Sequence, residues 1–433
     1  MRRSNAKVLA FYIMGGLCAL LYVVLFGKTI NNITIASLIL LFVSIISLRW
    51  LMGSFFRFEI VFLLLSYIFH CSHAVIILFN FFNNFAYRSV VVLRGGIDVF
   101  IAANTYVAFC HFFLALGFLL TYKQGAVIKA PRVDKRCQAN IIVESRMSAN
   151  ADEIGTVRLT GWIIFILTAG FMIYRDSSMI SALRMSGYES TYSSVSKFAI
   201  TVSALCRPSM LLLIIGYSNN RKVARTLFVV FGAYLIWAMS SGDRGTNVLI
   251  IITMVFLYFN IVERLRLKYM VIGIIGIYAM LLYINTIAVY RSSSAISFEI
   301  FWEIITLKSG DNMLIYNMHE FGVTMQPVCC SLMYFPSYSG YNYGLTYILS
   351  MFGIFPYLPS SLATILKTSF SYVYAFPAGL QSNMGGSYLG ELFFNFGWLG
   401  TVLCLFVGII IGKLSNRFHG AMTSKSQLQL ARI

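Results

Sequence analysis

Residues 1–26 read MRRSNAKVLAFYIMGGLCALLYVVLF, and the fold turns on how that stretch is read. Three cations, Arg2, Arg3 and Lys7, precede an unbroken apolar run from Leu9 to Phe26. About 17–25 such residues are needed to cross roughly 30 Å of hydrocarbon, whereas a cleavable signal has a shorter core and ends at a small-residue cleavage site. No such site follows here. The run is therefore expected to be a first transmembrane helix with its N-terminus in the cytoplasm.

Composition says the same of the whole chain. Of 433 residues, 59% are hydrophobic and 11% charged, with a mean hydropathy of +0.78. A soluble domain is about 25% charged and cannot hide this much apolar surface from water, so a soluble enzyme is excluded. An aromatic content of 16% and only 7 prolines exclude low-complexity disorder. The net charge of +18 sits in short clusters between apolar runs, as in cytoplasmic membrane loops, so no nucleic-acid partner is expected.

Nine further runs follow the first. The set is expected near residues 8–27, 33–48, 58–80, 98–121, 159–175, 198–217, 226–241, 246–262, 269–288 and 387–412. With both termini in the cytoplasm, two thirds of the 33 Lys and Arg residues fall on the inside, as the positive-inside rule asks. The fold expected is an all-α polytopic membrane protein of about ten transmembrane helices, with a large, mostly helical periplasmic loop before the last helix. Its parts are a nine-helix bundle over 1–289, including a basic cytoplasmic loop at about 122–158, then a periplasmic loop over 290–386. The last helix, 387–412, and a cytoplasmic tail, 413–433, complete it. The outside loop holds five of the seven prolines and ten tyrosines. Within it, 345–366 is apolar but broken by Pro356 and Pro359. A full crossing there would put the basic tail outside, so it is read as a re-entrant or surface-lying helix pair.

Searches for familiar chemistry return nothing: no phosphate-cradling loop with a Lys, no HExxH, no paired CxxC and no GxSxG. The eight cysteines are scattered and imply no disulfide framework. His70 and His73 share a helix face, with His111 on the next helix, but a metal site lacks further ligands, so polar contact between helices is expected.

Charges at the outer face are more informative. Arg244 lies in the tight turn Ser240-Ser241-Gly242-Asp243-Arg244-Gly245, and Arg291 follows Tyr290 where the ninth run ends. Guanidinium suits bidentate pairing with phosphate, so the two could clamp a lipid pyrophosphate; the alternative is snorkelling, or pairing with a neighbour such as Asp243. Arg184, near Tyr188 and Tyr192, is a weaker candidate. Arg207 is costly inside a helix unless it faces a cavity, and the adjacent Pro208 suggests a kink. Among carboxylates, Glu391 ranks first because it stands at the outer end of the last apolar run. His319-Glu320, mid-loop, could supply a base, although a plain loop histidine explains it too.

The order of these parts resembles the Wzy-type O-antigen polysaccharide polymerases of the bacterial inner membrane. The matching stretches are Gly242-Asp243-Arg244-Gly245 opening a helix, Tyr290-Arg291 opening the large loop, and the entry to the last helix. That entry runs from Pro377-Ala378-Gly379-Leu380 to Gly386-Ser387-Tyr388-Leu389-Gly390-Glu391-Leu392-Phe393-Phe394-Asn395-Phe396-Gly397-Trp398-Leu399-Gly400. The resemblance implies a metal-independent, GT-C-like glycosyltransferase without cofactor, active at the periplasmic face. Such an enzyme takes an undecaprenyl-pyrophosphate-linked glycan as donor and a second lipid-linked unit as acceptor, amid membrane lipid and with a possible chain-length regulator protein as partner. It would place Arg244, Arg291 and Arg184 on the pyrophosphate and Tyr290, Asp243 and Arg207 on glycan or lipid. Glu391, Glu320 and His319 would be the candidate acid–base groups. Two other readings stay open. An O-antigen ligase usually shows a His-Asn pair where this chain has His319-Glu320, and a flippase usually shows paired repeats that are missing here.

Overall fold

The computed structural model describes residues 3–53, 55, 57–79, 90–122, 151–186, 194–263, 271, 273, 275–283, 313–337, 340–352 and 386–424. Every regular element among them is helical. Among the described residues nine stretches are long and apolar enough to span a bilayer, so the chain is a polytopic all-α membrane protein. Of the expected run at 269–288, residues 271, 273 and 275–283 are described and helical; most of the basic loop at 122–158 and the apolar segment from 353 to 366 lie outside the described residues.

The chain divides into two compact units, residues 1–127 with 314–416 and residues 128–313 with 417–433. The first unit opens with α1 (Arg3–Phe26), α2 (Ile30–Met52), α3 (Phe58–Leu78) and α4 (Val90–Thr121). Local chemistry sets the ends. Thr29 caps α2 by accepting the Asn32 N–H at 3.2 Å, and Gly53, at φ 73°, closes it in the left-handed conformation that only glycine adopts without cost. After the large loop come α10 (Met313–Gly322), α11 (Met325–Tyr334), α12 (Leu345–Phe352), α13 (Tyr388–Phe396) and α14 (Leu399–Ser424). One core, containing Tyr12, Leu63, Tyr106, Leu114, Val328 and Phe393, joins α1, α3, α4, α11 and α13.

Glycines bring α4 and α14 together. A Cβ on Gly117 would lie 2.8 Å from the Ile409 nitrogen, and one on Gly408 would lie 3.1 Å from the Gly117 Cα. Gly408 and Gly412, four residues apart, form the small-residue face that lets membrane helices approach backbone to backbone.

The second unit holds α5 (Ala151–Ser186), α6 (Lys197–Ala204), α7 (Cys206–Gly216), α8 (Arg221–Ala238) and α9 (Arg244–Leu257). Its core includes Met172, Met210, Leu213, Phe231, Leu235 and Met254. The expected kink at Pro208 is present: α6 stops at Ala204 and α7 restarts at Cys206. Proline fits the first turn of α7, where its missing N–H costs little.

Two runs depart most from their expected bounds. The fifth, expected over 159–175, extends as an apolar helical stretch from Ile154 to Leu183; the charges of Arg175 and Asp176, which look like a loop entrance, lie within it and neutralise each other at 3.0 Å. The last, expected as one helix over 387–412, is two. Gly397, at φ 59° and ψ −139°, separates α13 from α14, and a Cβ there would come within 2.6 Å of the Tyr341 hydroxyl oxygen. The apolar spanning stretch is Leu399–Phe418, so Glu391 sits on a short helix preceding it.

Candidate functional site

The sequence singles out Glu391, and α13 explains how it is held. Glu391 and Asn395, four residues apart, share a helix face. The Thr346 hydroxyl at the start of α12 donates to Glu391 Oε1 at 2.9 Å and accepts from Asn395 Nδ2 at 2.8 Å. Asn395 Nδ2 also reaches the Glu391 carbonyl at 2.9 Å, and its Oδ1 accepts the Gly344 N–H at 2.9 Å. The Tyr343 N–H closes the join on the Asn395 carbonyl at 3.0 Å. Tyr343 (φ 48°) and Gly344 (φ 86°) turn the chain so that both donors face α13. The carboxylate is partly exposed while its neighbour Asn395 is buried. Glu391 is therefore a fixed carboxylate outside the spanning stretches, with one oxygen hydrogen-bonded.

The entry to α13 is pinned to α3 and α4 by neutral groups. Ser387 caps α13 by accepting the Gly390 N–H at 3.2 Å. His70 Nδ1 lies 2.8 Å from the Ser66 carbonyl, which can only accept, so Nδ1 carries the proton and Nε2 receives the Ser387 hydroxyl at 2.9 Å. Ser66 Oγ lies 2.7 Å from His111 Nε2 and 2.8 Å from the Tyr388 hydroxyl. Tyr67 stacks on His111 with ring centroids 4.0 Å apart. The backbone of α13 meets α11 closely at Gly390, where a Cβ would stand 3.1 Å from the Pro327 carbonyl carbon.

One helical turn further along α3, His73 Nε2 donates to the His319 carbonyl at 2.9 Å, and the two imidazole rings lie 4.8 Å apart. Gly322 makes this contact possible, because a Cβ there would lie 2.8 Å from His73 Cγ. His319 is half-buried; burial lowers its pKa from the usual value, against the opposing charge of Glu320. Its imidazole is thus unprotonated at neutral pH. The structure so brings the segments bearing Glu391 and His319-Glu320 onto one helix, α3.

In the second unit α5, α7 and the start of α9 collect ions. The Asp243 carboxylate accepts from Arg175 Nη2 at 3.1 Å and from Arg207 Nη2 at 3.2 Å, both through Oδ2. Arg175 Nε also lies 3.0 Å from Asp176 Oδ1, and Asp176 Oδ2 receives the Tyr234 hydroxyl at 2.8 Å. Arg207 Nη2 further donates to Asn247 Oδ1 at 3.1 Å, and Asn247 Nδ2 to the Asp243 carbonyl at 2.7 Å. Both arginine side chains are almost wholly buried. Gly242, at φ 90°, makes the turn, and Asp243 caps α9 through the Thr246 N–H at 3.4 Å. Two guanidiniums and two carboxylates make a neutral set.

Arg244 is the first residue of α9 and Arg184 lies near the end of α5; their side chains, and Tyr290 and Arg291 altogether, lie outside the described residues. Sequence reasoning missed Thr346, Ser387, Ser66, Arg175 and Tyr234 as partners. For Arg175-Asp176 a signal existed, since adjacent opposite charges in an apolar helix can neutralise each other. Among the described residues no three His, Cys, Asp or Glu side chains converge as a metal-ligand set.

The comparison with protein families decides the identity. The family model of the O-antigen polysaccharide polymerase Wzy matches residues 8–429. The chain belongs to that family. No curated protein and no solved structure matches it. As a Wzy-family protein it is a glycosyltransferase-type polymerase that builds O-antigen polysaccharide, a multi-pass protein of the inner membrane in lipopolysaccharide biosynthesis. Both polar networks therefore belong to a polymerase, and the one that holds Glu391 sits in the stretch whose motif resembles that family.

Proposed function

We infer that this chain polymerises undecaprenyl-pyrophosphate-linked oligosaccharide repeat units at the periplasmic face of the inner membrane, with both termini cytoplasmic. The growing glycan passes from its lipid pyrophosphate to a hydroxyl at the non-reducing end of a new lipid-linked unit. The anomeric C–O bond to pyrophosphate breaks and a glycosidic C–O bond forms. The acceptor proton moves to a base on the protein, and undecaprenyl pyrophosphate leaves. The donor arrives with an activated leaving group, so the protein's work is to position two lipids and to balance developing charge, without a metal or cofactor. Arg244 and Arg291, with Arg184, meet the pyrophosphate, and Asp243, Arg207 and Tyr290 line the approach of glycan and lipid. A chain-length regulator protein is the expected partner.

Glu391 is the first candidate base, with Glu320 and His319 next. The observation that carries this assignment is the fixed, partly exposed carboxylate: Thr346 holds Oε1 at 2.9 Å, and Asn395 locks both residues to one helix face. A held carboxylate pays little further entropy when it orients an acceptor hydroxyl.

The test is the lipopolysaccharide ladder of a deletion strain complemented with wild type, Glu391→Gln, Arg244→Ala or Arg291→Ala at matched membrane levels. General-base catalysis contributes about 10²–10⁴-fold, so Glu391→Gln should leave a single-unit band without a ladder. Full-length chains from Glu391→Gln would remove Glu391 as the base. Full-length chains from both arginine variants would remove the pyrophosphate clamp. Loss of the single-unit band in the deletion strain would place the defect upstream, at a flippase or in the supply of repeat units.

A further inference from the structure

Three histidines stand outside the assigned chemistry, and two of them reach both candidate acid–base segments. Across the loop, His70 meets Ser387, 317 residues away in sequence, and His73 meets His319, 246 residues away. Three residues on an α-helix span about 4.5 Å along its axis and face the same side. One turn of α3 thus meets the N-cap of the helix bearing Glu391 and the segment bearing His319 and Glu320. Each contact has one possible polarity, because carbonyls only accept: His73 donates through Nε2, while His70 donates through Nδ1 and accepts through Nε2. Ser66, with His111 behind it, adds a second strut to the same entry through Tyr388. His70, His73 and His111 are all buried.

We propose that His70 and His73 are positioning residues for glycosyl transfer: one turn of α3 sets the spacing between the segment carrying Glu391 and the segment carrying His319-Glu320. The proposal rests on Glu391 as base. The histidines touch neither substrate nor leaving group. They act by fixing where two loop-borne segments sit, and displacement of a reacting group by about 1 Å can cost about 10²-fold in rate.

The experiment uses the full-length protein in lipid nanodiscs with lipid-linked repeat units, following chain growth to separate kcat from KM. His70→Phe and His73→Phe keep ring volume and lose the hydrogen bond. Each is expected to lower kcat about 10²-fold with KM for the acceptor unit unchanged. His70→Gln, whose amide oxygen can receive the Ser387 hydroxyl, and His73→Gln, whose amide can donate to the His319 carbonyl, should recover most of that rate. Ser387→Ala tests the His70 strut from its other end should His70→Phe not accumulate; it should lose kcat alike, with Ser387→Thr restoring it.

Glu391→Gln is run beside them. If it is inactive while both Phe variants keep wild-type kcat, the positioning role is overturned and Glu391 as base stands. If Glu391→Gln polymerises at the wild-type rate, the base assignment fails and the positioning role falls with it. A rise in KM equal to the loss in kcat, or no recovery with Gln, would mean general loosening of the fold and would also overturn the proposal.

Discussion

Around the entry to α13 in the first unit the buried polar groups are neutral: Ser66, His70, His111, Ser387 and Asn395 share a set of hydrogen bonds. Around the Ser241–Asp243 turn of the second unit they are chiefly ions: Arg175, Asp176, Arg207 and Asp243 meet within 3.2 Å. The two solutions cost differently. A neutral hydrogen bond nets about 0.5–1.5 kcal/mol and carries strict direction, because each donor needs an acceptor. A buried ion pair gains little over an apolar filling, yet breaking one side strands a charge. A neutral network therefore suits parts that must be aligned. An ionic one suits a turn such as Ser241–Asp243, where three helices must close on one point and none can leave.

The largest effect should come from the ionic side. Asp243→Ala removes the carboxylate that Arg175 and Arg207 share, along with the α9 cap, and should destabilise the protein by about 3–5 kcal/mol. Thermal unfolding in detergent and the steady-state level in membranes both read it. A loss below about 1 kcal/mol, the worth of an exposed pair, would mean that water screens this cluster, and the contrast between units would collapse.

The neutral side should respond less, and cooperatively. Ser66→Ala leaves His111 Nε2 and the Tyr388 hydroxyl each short of a partner, at a cost of about 1–3 kcal/mol. Adding Tyr388→Phe removes one of the stranded groups, so the double variant should lose less than the sum of the singles. The expected coupling is about 0.5–3 kcal/mol. Strict additivity would show that Ser66 and Tyr388 do not share a network.

The spanning helices were legible because bilayer thickness prints itself as run length. The break at Gly397 was not, since apolar continuity carries no information about backbone dihedrals, and the Tyr341 ring that makes glycine necessary lies 56 positions earlier. Nor was the length of α5, because Arg175 and Asp176 look like a loop when their neutralisation is unseen. For the candidate site, the sequence carried Glu391 and its Asn395 neighbour as a motif, and the shared face of His70 and His73 as a spacing. It could not carry their partners. The i, i+3 periodicity says which residues face together, while Ser387 and His319 reach that face only through tertiary folding.

The smallest effect is a pH dependence, carried in the first unit by His319, outside the membrane spans. Burial lowers the pKa of His319 in the folded protein from its ordinary value of 6.5, against the opposing pull of Glu320. The unfolded chain thus binds more protons than the folded one in the window just below pH 6.5. Stability rises with pH wherever the unfolded state is the better proton binder. The contribution from His319 is therefore fully present above pH 6.5 and is lost as pH falls toward the lowered folded value. Protonation there places a cation 4.8 Å, ring to ring, from His73, whose Nε2 holds the His319 carbonyl, so the contact between α10 and α3 should loosen first. Thermal unfolding between pH 8 and pH 5 should show a decline below pH 6.5 that His319→Gln makes shallower. A decline unchanged by His319→Gln would assign the proton to other groups and remove this segment as an acid-sensitive contact of the first unit.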